Sequence, residues 1–339
     1  MRALIIGGTG LISTGIVRHL LQRNAQVTML NRGRRAVSDP AAATPGRVEQ
    51  ITLDRNDFDA FERVCSEKTF DVVIDMICYN PPQAESDVRA FSGRCGHFIF
   101  CSTVCTYGVK VPPNVLIDES FPQEPISEYG RNKLACERIF LRAHEQKRMP
   151  VTIIRPSHTY GPGSPLIDNL QSDPSSWDRI ERGLPVLCAG DGLGLWVSTH
   201  RDDCGKLFAY AALNPVTFGQ SYNATRDQVF TWRDYLRDAA AAIGRPAQVL
   251  FMPAGWIIAH DPKRFTLLRE ITQFHGAYTS SKARRDVPEF RCQIDFATGA
   301  KQTLDDQKRR NAWRSSREDA LYDSMVAKAL AAGVEPVVL

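Results

Sequence analysis

The sequence predicts an α/β protein built on a doubly wound parallel sheet with a smaller α+β lobe. Three observations carry this. Apolar runs of strand length alternate with segments of helical apolar spacing as far as Arg155. A glycine turn, Gly7-Gly-Thr-Gly10, joins the first strand to the first helix. A chain of 339 residues also has ample length for a large core and a second lobe.

The elements follow in order. Residues 2–6 read as a short buried strand. Residues 11–22 read as a helix, with Leu11, Ile12, Ile16 and Leu20 on one face. Strands are expected at 26–30, 47–53, 71–77, 96–102 and 151–155, and helices at 58–65, 86–91 and 127–147. Strands alternating with helices predict a parallel sheet. After Tyr160-Gly-Pro-Gly-Ser-Pro165 the loops lengthen, and proline, tryptophan and arginine rise. The expected first domain is therefore 1–165, with a return near 195–225 that includes a helix at 200–214. The smaller lobe is expected from 166–194 and 226–339.

Composition excludes several classes. Apolar and charged fractions of 43% and 24% are ordinary for a globular enzyme. A net charge of +4 is too small to imply nucleic acid by itself. No apolar run approaches the ~20 residues that span a bilayer. The strand directly after Met1 leaves no room for a signal peptide. Nine scattered cysteines, with no Cys-x-x-Cys pair, suggest reduced thiols in the cytoplasm and argue against a zinc site. The basic run Lys308-Arg-Arg310 reads as a solvated helix face.

Gly7-x-x-Gly10-x-x-Ser13 follows a strand and opens a helix, the context that a dinucleotide fingerprint requires. Gly7 permits the tight turn, and Gly10 lets the backbone approach a pyrophosphate. The helix N-terminus adds free N–H groups and partial positive charge. Ser13 is small enough for strand–helix packing, and its hydroxyl is in reach of a phosphate. The bland alternative is a tight turn alone. At the end of the second strand, an acid would bind the ribose 2′-hydroxyl of NAD. Here the run is Asn31-Arg32-Gly33-Arg34-Arg35. A guanidinium suits a 2′-phosphate, so NADP is the expected cofactor. NAD is the alternative, because Asn31 can bond a bare ribose. Arg34 and Arg35 also read as solvated loop residues. Asp54 either accepts from the adenine amino group or caps the helix that follows it.

The stretch 97–133 carries the chemistry. An apolar strand ends at Ser102-Thr103, and a helical segment then places Tyr129 and Lys133 four apart, on one face. A free phenol titrates near 10 and must fall ~3 units, or ~4 kcal/mol, to act as a base near neutrality. An ammonium at ~4 Å and an effective dielectric of ~20 supplies ~4 kcal/mol. Tyr129 is thus the expected proton carrier, Lys133 its activator, and Thr103 the hydroxyl that holds the same oxygen. Ser102 is the fallback. A lone Tyr–Lys pair at this spacing more often belongs to an ordinary amphipathic helix.

Gly-Gly-Thr-Gly-Leu-Ile-Ser at 7–13, Ser-Thr-Val-Cys-Thr-Tyr-Gly at 102–108 and Tyr-Gly-Arg-Asn-Lys at 129–133 together resemble the extended short-chain dehydrogenase/reductase family. Arg155-Pro156 with Tyr160-Gly-Pro-Gly163, and Ser198-Thr-His-Arg-Asp-Asp203, extend the resemblance over most of the chain. It implies a nicotinamide cofactor on a Rossmann domain and a substrate held by the smaller lobe. It also implies a Lys133 contact to the nicotinamide ribose, and a homodimer paired through the helices near Phe91 and at 127–147. Thr9, Leu11 and Ile12 of the loop, Ile77 and Pro156 are expected to line the cofactor. The segment Ile74-Asp75-Met76-Ile77-Cys78-Tyr79 looks like an atypical branch, which includes the chloroplast stem-loop-binding proteins.

Departures from the family pattern narrow the reading. Dehydratases and decarboxylases of the family carry a carboxylate just after the hydroxyl residue. Val104 and Cys105 stand there instead. Alternation along an extended segment would turn Cys105 to the side of Thr103, where a thiol near 8.5 can move a proton if cations lower it. The competing reading is a small buried hydrophobe. His158 stands where many relatives have Asn, as a substrate contact, a second acid/base or a structural histidine. Trp196, His200 and Arg201 are candidate substrate-side residues, although Arg201 can instead pair with Asp202 or Asp203. The expected function is an NAD(P)-dependent epimerase or oxidoreductase acting on a sugar or sugar nucleotide through a ketone. A ketoreductase is the alternative, and a non-catalytic RNA-binding relative is the third reading.

Overall fold

The computed structural model describes residues 1–34 and 47–339, so Arg35 lies outside the described residues. Short apolar strands assemble the main sheet: β1 (Arg2–Ile6), β2 (Gln26–Asn31), β3 (Val48–Thr52), β4 (Phe70–Asp75), β5 (Cys95–Cys101) and β6 (Val151–Pro156). Between them run helices α1 (Leu11–Gln22), α2 (Phe58–Ser66), α3 (Pro81–Phe91) and α4 (Glu128–Glu145). After β6 the chain adds α5 (Arg201–Ala211) and a seventh strand, β7 (Gln220–Ala224). The order is β7-β6-β5-β4-β1-β2-β3, and every pairing is parallel. This is a Rossmann-type sheet.

Alternation along each strand feeds two cores. Ala3 and Ile5 of β1 face α1 and α5, whereas Leu4 and Ile6 face the side of α2, α3 and α4. Strand order reverses between β1 and β4, which opens a crevice beyond their carboxyl ends. The Gly7 turn and the segment after Asp75 both emerge there.

Local boundaries differ from expectation at identifiable signals. Helix α3 starts five residues before the expected Ser86. Asn80 caps it, accepting from Gln83 N at 3.1 Å, and Pro81 and Pro82 fill the first turn, where their missing N–H groups cost nothing. Strand β4 stops at Asp75 because its carboxylate bends back to accept from Ile77 N at 2.7 Å. β7 went unanticipated: Gln-Ser-Tyr-Asn-Ala is polar, and it pairs on one side only, as a sheet edge allows.

The chain divides into two compact units. The first comprises Met1–Thr159, Arg201–Arg226 and Tyr278–Gln293. The last of these segments was assigned to the smaller lobe on sequence grounds. It belongs here because Tyr278 bridges to Ile117, and Asp286 accepts from the Tyr222 hydroxyl at 3.0 Å. The second unit comprises Tyr160–His200, Asp227–Ala277 and Ile294–Leu339. Its core gathers Trp177, Trp196, Trp232, Tyr235 and Phe296 around a three-stranded sheet of Val186–Ala189, Gln248–Met252 and Val337–Val338. Among the described residues, no helix is long and apolar enough to cross a membrane.

Helices α1 and α5 pack backbone to backbone. A Cβ on Gly15 would lie 2.4 Å from Arg201 O, and one on Gly205 would lie 2.5 Å from Ile16 N. Gly205→Ala should therefore destabilise the fold by ~2 kcal/mol, although alanine is the better helix former by ~1 kcal/mol. Urea denaturation checks the sign.

Candidate active site

The glycine turn is shaped by contact. Gly7 has φ +86°, and a Cβ there would meet Ile77 Cγ2 at 2.5 Å. A Cβ on Gly8 would meet Met29 at 2.6 Å. The loop thus runs flush against β2 and the turn after β4, with Thr9, Gly10, Leu11 and Ile12 half-buried along it. Gly10 caps α1 without a side-chain bond, and no acid stands in the first turn. The first amides of α1 are left for an external acceptor. Ser13 does not offer its hydroxyl to a phosphate: the side chain is buried and donates to Gly7 O at 2.8 Å.

At the end of β2, Asn31 Oδ1 accepts from Gly33 N at 2.9 Å. Its Nδ2 is buried and has no partner among the described residues. Such a donor costs roughly 1–3 kcal/mol until something accepts from it. Arg32 and Arg34 are exposed and make no ion pair among the described residues. Asp54 is exposed and accepts from Asn56 N and Asn56 Nδ2, both at 3.0 Å. It does not cap α2. Asp57 does, accepting from Ala60 N at 3.1 Å. The uncapped helix, the flush glycine turn and the orphaned amide all fit an adenine dinucleotide.

Helix α4 begins at a Ser127 cap, with Gly130 N donating to Ser127 Oγ at 3.0 Å. It carries Tyr129, Lys133 and Glu137 at intervals of four, along one face. Lys133 is 1% exposed. Its Nζ donates to Cys78 O at 2.8 Å and Cys101 O at 2.7 Å, the carbonyls beyond β4 and at the end of β5. The same Nζ lies 5.9 Å from the centre of the Tyr129 ring. The expected activation is not met by the chain alone. Desolvation of the phenol raises Tyr129 above its ordinary value although the residue is 44% exposed, Cys101, Cys105 and Tyr79 add to this, and a hydrogen bond from the Thr103 hydroxyl opposes it. An upward shift keeps the Tyr129 phenol protonated near neutrality.

Thr103 caps the short turn Val104–Thr106, its Oγ1 accepting from Cys105 N at 3.2 Å. That bond leaves the Thr103 O–H available to donate. Ser102 is not an equal alternative, because its hydroxyl donates to Glu137. Glu137 is buried and also accepts from Arg155 Nε at 2.9 Å, Arg155 Nη2 at 2.7 Å and Gln123 Nε2 at 2.9 Å. Arg155 Nη1 continues to the Tyr107 hydroxyl at 2.8 Å. Sequence reasoning missed this network, although Glu137 at i+4 from Lys133 was the available signal.

The remaining candidates fall differently. Cys105 lies in a 3-10 turn, so strand alternation does not orient it. It still bears on Tyr129, but burial raises its thiol and no cation counters that. His158 is half-buried, and burial pushes its imidazole down to about 3, which favours the neutral ring. Arg201 is buried at the start of α5 and pairs with Asp202 at 3.7 Å. Pro156 is buried at the end of β6, beside Ala224. In the second unit, Trp196 packs on Trp232 with ring centres 4.7 Å apart, and His200 is buried at 5.6 Å from Tyr160. Asp75, Cys78 and Asp87 come close enough to share a cation, but the Arg55 guanidinium bonds both carboxylates.

A parallel sheet with a glycine turn at its switch point and a Tyr-x-x-x-Lys helix beside it is the arrangement of an extended short-chain dehydrogenase/reductase. The chain belongs to the NAD dependent epimerase/dehydratase family, which it matches over residues 3–224. Among curated proteins it resembles the 2'-dehydrokanamycin reductase of Streptomyces kanamyceticus, at 28% identity over 256 residues, 76% of this chain and 70% of that one. It also resembles the chloroplast stem-loop binding protein of 41 kDa b of Arabidopsis thaliana, at 24% over 347 residues, 97% and 85% of the two chains. The UDP-glucuronic acid 4-epimerase of Bacillus cereus, solved with UDP-glucuronic acid and NAD, shares the fold. Its TM-score is 0.72 at 18% identity, covering 91% of this chain and all of that one.

One further residue holds the site together. A Cβ on Gly130 would lie 2.6 Å from Cys105 O and 2.9 Å from Pro125 Cβ. Gly130→Ala should push the first turn of α4, with Tyr129, away from Thr103. A loss of ~2 kcal/mol in thermal unfolding is expected, despite the better helix propensity of alanine.

Proposed function

We propose that this protein is an NADPH-dependent reductase that converts a ketone of a sugar or sugar nucleotide to a secondary alcohol. The observation that carries the reading is Tyr129: a phenol shifted up and so protonated near neutrality, met by the Thr103 hydroxyl, on the helix that bears Lys133. Reduction of a ketone consumes a proton at oxygen, and a protonated phenol is the group that delivers it. Thr103 donates to the same oxygen and stabilises the charge that grows there. Lys133 limits the cost of the phenolate left behind. When bound, the nicotinamide supplies the hydride. The first amides of α1, Asn31 Nδ2 and Arg32 hold the dinucleotide, with Thr9, Leu11, Ile12, Ile77 and Pro156 along it. The likeness to a reductase over three quarters of the chain supports net reduction. The exposed Arg32 and Arg34 support NADPH over NADH. In this reading the smaller unit carries substrate specificity.

Epimerisation is the second reading, and one observation favours it. Tyr129 can return the proton it gives, so the same group serves both directions without Cys105 or His158. Val104 and Cys105, where relatives carry carboxylates, speak against dehydration and decarboxylation.

The test supplies NADPH with a panel of keto sugars and keto sugar nucleotides. The proposal expects stoichiometric NADPH oxidation, lost by ~1,000-fold or more in Tyr129→Phe while NADPH binding persists. Cofactor recycling without net loss would make the protein an epimerase. Salt-dependent RNA retention, with turnover indifferent to Tyr129→Phe, would favour the RNA-binding reading. Because the general acid must stay protonated and its value is raised, kcat/KM should hold through roughly pH 9 and fall only above the ordinary phenol range near ~10. Arg32→Ala should weaken NADPH binding ~10-fold and leave NADH binding unchanged in a titration of nicotinamide fluorescence.

A further inference from the structure

The buried ammonium of Lys133 is surrounded by rings. Its Nζ lies 4.8 Å from the centre of Phe100, 4.9 Å from Tyr79 and 5.9 Å from Tyr129. Phe100 is wholly buried beneath it. Tyr79 is 47% exposed and Tyr129 is 44% exposed, yet the ammonium they flank is almost dry. Tyr79 stands on the turn that supplies one of the two Lys133 acceptors, Cys78 O.

The position of Tyr79 is fixed from behind. Its backbone N–H donates to Gln83 Oε1 at 2.6 Å, and Gln83 Nε2 donates to Asn56 Oδ1 at 2.8 Å. Arg55 Nη2 donates to Gln83 O at 2.9 Å, which ties this turn to the buried Asp75 and Asp87. These bonds hold the backbone from which the half-exposed Tyr79 ring stands 4.9 Å from the buried ammonium. The ring's inner face does two things. It offers the negative face of a π system to the ammonium, and it keeps water from competing for the N–H groups.

We propose that Tyr79 is a positioning residue for Lys133, the solvent-facing wall of an aromatic cage that keeps the ammonium dry and fixed beside Tyr129. The proposal rests on the reading of Tyr129 and Lys133 as the proton-transfer pair. The cage needs the ring and not the hydroxyl, so phenylalanine replaces tyrosine without loss.

Brief acetylation of the whole protein with acetic anhydride, read at each lysine by peptide mass spectrometry, tests this without cofactor or substrate. Lys301, whose side chain is 62% exposed, is the internal reference. Lys133 should label ~10-fold or more slowly than Lys301 in the native chain and in Tyr79→Phe, and Tyr79→Ala should raise its labelling ~10-fold at unchanged Lys301 labelling and Tm. Tyr79→Ser gives the same readout should the alanine chain lose its fold. NADPH-dependent reduction should fall in the Ala and Ser chains and be retained in Phe. Equal protection of Lys133 in Tyr79→Ala, or loss of protection in Tyr79→Phe, overturns the cage. The reading of the proton-transfer pair is judged separately, on turnover by Tyr129→Phe, which keeps a ring in place.

Discussion

The structure of the site depends on one buried ammonium. Lys133 gives two of its three N–H groups to main-chain carbonyls, Cys78 O and Cys101 O. Burying an unpaired ammonium would cost many kcal/mol, so those carbonyls are obligatory and their positions matter. They come from the turn after β4 and from the last residue of β5, at the carboxyl edge of the sheet. The bond therefore welds α4 to the carboxyl edge of the sheet, on the side where the glycine turn also emerges. Tyr129, one turn earlier on α4, inherits its place from this weld.

A second buried charge lies one turn further along the same helix face. Glu137 is closed off by Arg155, Ser102 and Gln123, with no acceptor capacity to spare. The pair does not add much stability for its own sake, since desolvation offsets most of its attraction. What it adds is placement. It consumes the Ser102 hydroxyl, so that of two adjacent hydroxyls Thr103 is the one that meets Tyr129. It also joins β5, α4 and β6, the three elements that carry Thr103, Tyr129 and the Pro156 edge.

Close approach is the other recurring device. Gly7 against Ile77, Gly15 against Arg201 and Gly130 against Cys105 each bring backbone to within a distance that no side chain would allow. The first shapes the nucleotide turn, the second seats α1 on α5, and the third seats the Tyr129 turn on the Thr103 turn. Substituting any of them changes geometry before it changes chemistry. The electrostatics follow the same logic: the Tyr129 phenol is raised by partial desolvation and by Cys101, Cys105 and Tyr79, groups that packing rather than sequence brings to it.

Much of this was legible in the sequence, for a local reason. Strand and helix periods, the Gly7–Gly10 turn and the Tyr129–Lys133 spacing are written within a few residues of one another. The sheet, the glycine loop and the shared helix face follow from them directly. Glu137 was legible in spacing but not in partners, because Arg155 and Ser102 reach it only through the fold. The same holds for Gly130, whose neighbour is a carbonyl from another turn, and for Tyr278–Gln293, which joins the first unit through Ile117 and Tyr222. The direction of the Tyr129 shift went against expectation because a spacing of four residues sets which face two groups share, not their separation or the water around them. Sequence by itself determined which chemical groups exist and which local faces they occupy. Only tertiary structure decided which of them are dry, which hydroxyl meets Tyr129 and which cation is spent on backbone carbonyls, because desolvation and hydrogen-bond competition are properties of contacts between distant segments.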